Sequence, residues 1–430
     1  MLDEKAISEL QALKKIAQKQ GYRLNAMLIY NVLAAFSGSQ DGDELFGEMQ
    51  EYLNENDVEI IYDDIEVENE DTSFSNKIIP FDPSLIDITM QPMTMDSLVK
   101  RIKNNEINLN TDFQRRGGLW TQVQKSQLIE SLLLKIPLPA FYFDAGVDDK
   151  WLIIDGLQRI TAIKEFMIDQ SFKLKGLEFF GDLEGIGYGD LPRVFVRRIE
   201  ETSLVVFTVK RGTPTNVKYN IFKRINTGGL ELNSQEIRHA LYQGNAIKIL
   251  DELSVSEEFR TATDGSIRVD RMLDQEFVLR FIAICFYGLD KYDSSVEGFL
   301  NATMEYLNKV DETTESRIKK AFYQVMRDAY DILGRCAFRK VALGGIRRPI
   351  NKAIYEAWCY NLYSMEREEV KGLIENKNIV IRKFSELCED ENFISTLRNS
   401  DKKSVLYRVN CIYDLTREVL YDSENQAVKF

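Results

Sequence analysis

The sequence predicts an α+β fold, rich in helix, in three parts. Short apolar runs of strand length lie between 140 and 209, as in AFYFD (140–144), WLIID (151–155) and SLVVFTV (203–209). Beyond about residue 233, apolar residues recur at helical spacing and strand signals almost vanish. Residues 1–70 hold 16 acidic and 5 basic side chains, so most of the formal charge of −13 belongs to one segment. These observations divide the chain into an acidic, mostly helical N-terminal domain (1–65), a polar linker (66–84), an α+β domain (85–245) and a helical domain (246–430).

The first part opens with a helix over 3–20, whose Ile7, Leu10, Leu13 and Ile16 share one face. A second helix is expected over 24–36, and a third from Glu44 carries Leu45, Phe46, Met49 and Leu53. VEIIYDDIEV alternates like a short strand, and EVENEDTSFSNKIIP is polar enough to be the linker.

In the middle part, 95–105 reads as a helix, FQRRGGLW (113–120) as a loop, and 121–135 as an amphipathic helix stopped by IPLP. AFYFD and WLIID are strands joined by a turn containing Gly146 and Asp148, followed by a helix over 158–168. FKLKGLEFF (172–180) and SLVVFTV are further strand candidates, separated by a glycine-rich loop at 181–189. A helix over 214–226 ends at INTGG, with glycine in its usual C-terminal place. The last part is helical, with strong periods at 270–288, 294–309, 314–334, 351–364 and 404–420.

Composition narrows the chemistry. Cys285, Cys336, Cys359, Cys388 and Cys411 are odd in number and widely spaced, so neither a disulfide framework nor a structural zinc site is expected. A single histidine, His239, excludes an HNH nuclease or a multi-histidine metal centre within this sequence. There is no GxxxxGK[ST] loop and no GxSxG elbow. No apolar run reaches membrane-span length, and the acidic N-terminus lacks a signal-peptide pattern, so a cytoplasmic location is expected.

The stretch with the most chemistry is IIDGLQRITAI (153–163). A strand that ends in Asp–Gly and turns into a helix offers free backbone N–H groups at a positive helix end, which suits phosphate. Gly156 allows close backbone approach, and Arg159 can clamp phosphate through paired hydrogen bonds. Asp155 can hold Mg²⁺ or a water, and Gln158 can orient the attacking water. Taken alone, the motif slightly favours a structural reading: Asp155 caps the helix and Arg159 pairs with a nearby acid.

Flanking segments shift that balance. Phe113, Arg115 and Trp120, IESLLLKIPLP (129–139), LIIDGLQR (152–159), FKRINTGG (222–229) and LNSQEIR (232–238) stand in the order of a family pattern. Together they resemble the GmrSD-type restriction and phage-defence family, over about residues 85–245. The resemblance implies a ParB/sulfiredoxin-like core with a DGQQR signature, here DGLQR. It implies nucleotide binding and NTP hydrolysis, often coupled to sensing DNA, with Asp155, Gln158 and Arg159 as catalytic candidates. Arg115, Gly156, Asn226 and Thr227 become phosphate- or nucleotide-binding candidates, and Asp155 the ligand for Mg²⁺. Leu157 departs from the family's usual glutamine and is expected to point away from the phosphate. The HNH nuclease domain of the enzymes named for this family is not expected here.

Residues 1–65 have a weaker resemblance. LKKIAQKQGYRLN and ELFGEMQEYLNENDVEIIYDD are similar to the acidic N-terminal region of primary sigma factors, which imitates DNA charge. It implies a partner such as RNA polymerase or a separate nuclease, or the basic groove of this same protein. A non-catalytic nucleic-acid-binding or protein-docking regulator is therefore the alternative to an NTP-hydrolysing sensor.

Overall fold

The computed structural model describes residues 87–109, 120–145, 150–210, 212–225, 232–267, 269, 271–341 and 348–427, with scattered residues between 10 and 61. The chain divides into two compact units, one of Ile78–Gln243 with Asp270–Met272, the other of Met1–Lys77, Gly244–Val269 and Leu273–Phe430.

Near the N-terminus, β1 (Arg23–Asn25) pairs in parallel with β2 (Glu59–Ile61). The strand at β1 corrects the start of the helix expected over 24–36; residues 26–36 lie outside the described residues. Described residues between 10 and 18 are helical, with Leu10, Leu13 and Ala17 buried.

The α+β unit is built on a five-stranded mixed sheet. Its strands are β3 (Ile88–Thr94), β4 (Ile107–Asn108), β5 (Phe141–Asp144), β6 (Trp151–Asp155) and β7 (Ser203–Val209), in the order β3-β7-β5-β6-β4. β3 runs antiparallel to β7, β7 parallel to β5, β5 antiparallel to β6, and β6 parallel to β4. β3 was not legible as a strand, since ITMQPMT carries Pro92. Its edge position explains the tolerance, because an edge strand can lose an outward N–H.

Helices flank the sheet. α1 (Met95–Lys103) starts at Thr94, whose hydroxyl accepts from the Ser97 N–H, and buries Met95, Leu98, Val99 and Ile102. α2 (Gln122–Leu133) starts in a reciprocal cap between Thr121 and Gln124. α3 (Leu157–Met167) follows β6 after one residue. α4 (Arg193–Glu200) follows Pro192, and α5 (Thr215–Ile225) follows Pro214. α6 (Ser234–Leu241) begins in a reciprocal cap of Asn233 and Glu236.

The period-two alternation of the strands splits the core. Phe141, Phe143 and Ile153 pack with Ile160, Ile163 and Phe166 of α3. Tyr142, Ile154 and Val209 belong to a second cluster with Val217 and Phe222 of α5 and Ile237 of α6.

FKLKGLEFF, expected as a strand, is not one. Side chains take the backbone hydrogen bonds that a neighbouring strand would take. The Glu130 carboxylate accepts from the N–H groups of Glu178, Phe179 and Phe180 at 3.0, 2.7 and 3.0 Å. Glu184 accepts from those of Gly176 and Leu177.

The other unit carries the expected helices. They include α7 (Asn245–Ser254), α8 (Glu257–Thr263) and α9 (Leu273–Ile282), the last continuing into a π-helical turn at Ala283–Gly288. α10 (Val296–Leu307), α11 (Glu312–Leu333), α12 (Lys352–Ser364) and α13 (Arg367–Glu375) follow. α14 (Lys377–Leu387), α15 (Glu391–Thr396) and α16 (Lys402–Ala427) complete it. Among the described residues, no helix is long and apolar enough to cross a membrane.

Candidate functional site

Asp155 ends β6, and Gly156 stands at the N-cap of α3 with φ 101° and ψ 11°. This left-handed conformation suits glycine alone among common residues. A Cβ at 156 would lie 2.6 Å from Phe141 Cδ1 and 3.2 Å from Arg159 Nη2, so the turn is closed on that side as well. No side chain caps α3, which removes the reading of Asp155 as a helix cap. The first helical bond is donated by the Ile160 N–H to the Gly156 carbonyl, and the N–H groups before it are those a helix leaves unpaired.

Arg159 turns inward. Its Nη2 donates to Asp155 Oδ2 at 2.7 Å and to the Ala140 carbonyl at 3.2 Å, and its Nη1 donates to the Pro139 carbonyl. The guanidinium carbon lies 4.5 Å from the centre of the Phe141 ring. The Arg159 side chain is 11% exposed, that of Asp155 34%. Burial lowers the Arg159 pKa below its ordinary value, while the Asp155 carboxylate acts in the opposite direction. Arg159 therefore ties the PLPA segment to the end of β6 and orients Asp155. A clamp on phosphate would have to use its remaining N–H groups.

Gln158 lies in the first turn of α3. Its Oε1 accepts from the Trp120 backbone N–H at 3.4 Å, a long bond that sets the start of α2 beside the start of α3. Leu157 packs on the main core. Arg115, Asn226 and Thr227 lie outside the described residues. Of the described residues nearest to them in sequence, Trp120 donates to Gln158 and packs on the cluster of α3, whereas Ile225 packs on the separate cluster that holds Ile154 and Tyr142.

Three groups in this domain received no role from the sequence. Lys218 on α5 donates to both carboxylate oxygens of Asp144 at 2.7 Å, with Asp144 only 6% exposed. Burial raises the Asp144 pKa, and Lys218 opposes that shift. The pair pins α5 to the sheet, but 74 residues separate its members and no spacing betrays it. Glu130 is the second. Burial pushes its carboxyl upward, but three backbone N–H groups outweigh that and hold it below its ordinary value. A charged residue amid LIESLLL was the available signal. Third, the EIR tripeptide is structural: Glu236 pairs with Arg271 at 2.8 Å, and Arg238, 1% exposed, lies 5.7 Å from the Tyr219 ring centre.

Among the described residues, no group of three or more His, Cys, Asp or Glu side chains is arranged to hold a metal. What the site offers is one partly exposed carboxylate beside a helix N-terminus.

Residues 95–243 match the family model for the N-terminal domain of the GmrSD restriction endonuclease. No curated protein matches the chain. The matched segment, about a third of the chain, contains the Asp155–Arg159 turn and the starts of α2 and α3 at Thr121 and Gly156. Residues 95–243 are thus similar to a GmrSD-type N-terminal domain.

Proposed function

We propose that this domain binds a nucleoside triphosphate at the Gly156 turn and hydrolyses it, as the sensing module of a restriction or phage-defence system. The observation that supports it best is the N-terminus of α3 behind a left-handed glycine, without a side-chain cap among the described residues, with Asp155, Gln158 and Arg159 gathered within five residues. Backbone N–H groups at such a helix end bind phosphate without needing a lysine. In this reading Gln158 orients a water, and Arg159, bonded to Asp155, holds that carboxylate in its rotamer. Arg115, Asn226 and Thr227 complete the phosphate and ribose contacts in this reading.

Mg²⁺ fits the donor set in a limited way. Asp155 is the one acid offered at the turn, with Oδ1 unbonded among the described residues, and Mg²⁺ commonly takes one or two carboxylates alongside waters and substrate phosphates. When bound, it would neutralise phosphate charge. A ParB/sulfiredoxin-like topology of the core belongs to the same proposal.

Phosphate release from ATP, GTP, CTP and UTP, each with and without Mg²⁺ and duplex DNA, tests the reading. Asp155→Asn and Gln158→Ala should lower turnover by roughly 10²–10³. Nucleotide binding without release would leave a binding module, and neither would refute the reading.

The acidic segment favours a second reading, a docking regulator. A charge concentrated in residues 1–70 sets up a negative field that basic surfaces feel. If it occupies a DNA groove of this protein, deleting residues 1–75 should tighten DNA binding, most at low salt. Equal affinities of the full-length and truncated proteins at both low and high salt would reject autoinhibition and leave a protein partner, of the RNA polymerase or nuclease kind, as the docking target.

A further inference from the structure

The helical unit holds a cleft that the phosphate reading does not use. Its walls are mostly apolar: Ile284 from the π-helical turn, Leu289 and Tyr292 after it, Phe299 and Leu300 on α10, and Val405 on α16. It encloses about 380 Å³, part of it open to solvent, which suits a ligand of one small ring. The Tyr292 hydroxyl donates to the Ser400 carbonyl, and its ring meets that of Phe299 edge-on, with centroids 5.1 Å apart, so these walls are held in place. A π-helical turn inside an α-helix is itself frequent at functional sites.

Three charged side chains reach this apolar space, Arg280, Glu356 and Arg408. Arg280 Nη1 donates to Glu356 Oε1 at 2.6 Å. Arg408, 2% exposed, is fixed through its Nη1, which donates to the carbonyls of Thr396 and Asn399. Its Nη2 then faces Glu356 Oε2 across 3.8 Å, too far for a direct hydrogen bond. Among the described residues neither atom has another polar partner. A donor and an acceptor left this way in a mostly apolar cleft favour a molecule that bonds to both.

The charges decide what that molecule is. A carboxylate would satisfy Arg408 and meet the like charge of Glu356; a cation would do the reverse. A neutral amide serves both. Its carbonyl accepts from Arg408 Nη2, and the N–H on the same edge donates to Glu356 Oε2. We propose that this cleft binds a small neutral ligand with such an edge, a primary carboxamide or a lactam, its apolar body lying among Ile284, Val296 and Phe299. The site is independent of the Gly156 turn.

Ligand-observed NMR titration of the full chain with benzamide, benzoate and benzamidine tests this, since the three differ only in the donors, acceptors and charge of one edge. Benzamide should bind at least about tenfold more tightly than either charged analogue. 2-Pyridone separates the two amide classes: binding like that of benzamide admits lactams, and weaker binding assigns the site to carboxamides. Glu356→Gln keeps an oxygen for Arg280 and sets an NH₂ donor where Oε2 stood, so preference should pass to benzoate. Val296→Trp, on a half-buried lining residue, should fill the cleft and remove benzamide binding with the charged pair intact. A wild type that binds none of the three, or all three alike, would overturn the amide site and leave the gap to a bridging water. So would a Glu356→Gln protein, folded by its melting curve, that still prefers benzamide, or a folded Val296→Trp protein that binds benzamide as the wild type does.

Discussion

Arg159 is the residue on which structure and function are hardest to separate, and its replacement can be worked from the contacts. Arg159→Ala removes a charge-assisted bond to Asp155, donors to the carbonyls of Pro139 and Ala140, and a cation–ring contact on Phe141. The ion pair is partly wet, since Asp155 is 34% exposed, so it contributes only about 1 kcal/mol. The Phe141 contact adds about 0.5–1 kcal/mol, and the lost packing of the side-chain stem and the donor taken from a part-buried carbonyl add about 1–2. The loss should therefore total about 2.5–4 kcal/mol, less than a typical domain stability of roughly 5–15. Arg159→Lys keeps a charge for Asp155 but cannot fork to both carbonyls, and should lose about half as much. Urea unfolding followed by tryptophan emission suits the measurement, because Trp120 and Trp151 lie in this domain and Trp358 in the other unit. Phosphate release should fall in both variants, further in the alanine. An Arg159→Ala protein with a wild-type unfolding midpoint and no hydrolysis would refute the reasoning, since Arg159 would then act on the ligand and not on the fold.

Three more outcomes follow from the same contacts. Gly156→Ala places a Cβ 2.6 Å from Phe141 at a φ of 101°, and should lower stability by about 2–5 kcal/mol while abolishing nucleotide binding, measurable by melting and titration. Lys218→Met leaves Asp144 buried without its partner and should cost about 3–5 kcal/mol, and the double variant with Asp144→Asn should recover much of that in a double-mutant cycle. Glu130, held below its ordinary value of 4.5, adds stability that is complete above about that pH and lost as pH falls through its lowered folded value. Glu130→Gln should therefore flatten the acid limb of the stability curve below pH 4.5 and weaken the wild-type advantage at pH 7 by about 1–3 kcal/mol.

The sequence by itself determined the α+β class, the helical second half and the turn at Asp155–Arg159. Those features are local: alternation of apolar residues, helical spacing and a glycine between strand and helix act within a few residues of one another. It also placed the caps at Thr121 and Asn233 within reach of a reader, because a polar residue three positions before Gln or Glu is a local signal. Tertiary structure decided what each charge does. DGLQR looks the same whether Arg159 faces phosphate or the carbonyls of Pro139 and Ala140, and only the fold of PLPA beside β6 turns it inward. FKLKGLEFF has strand composition, yet a carboxylate 48 residues earlier takes its N–H groups and leaves it without a strand partner. The Asp144–Lys218 pair joins residues 74 positions apart that only the packing of α5 on the sheet brings together. Hydrogen bonds and ion pairs form between whatever the chain brings within about 3 Å, and across 48 to 119 positions of sequence that proximity is set by packing, not by pattern.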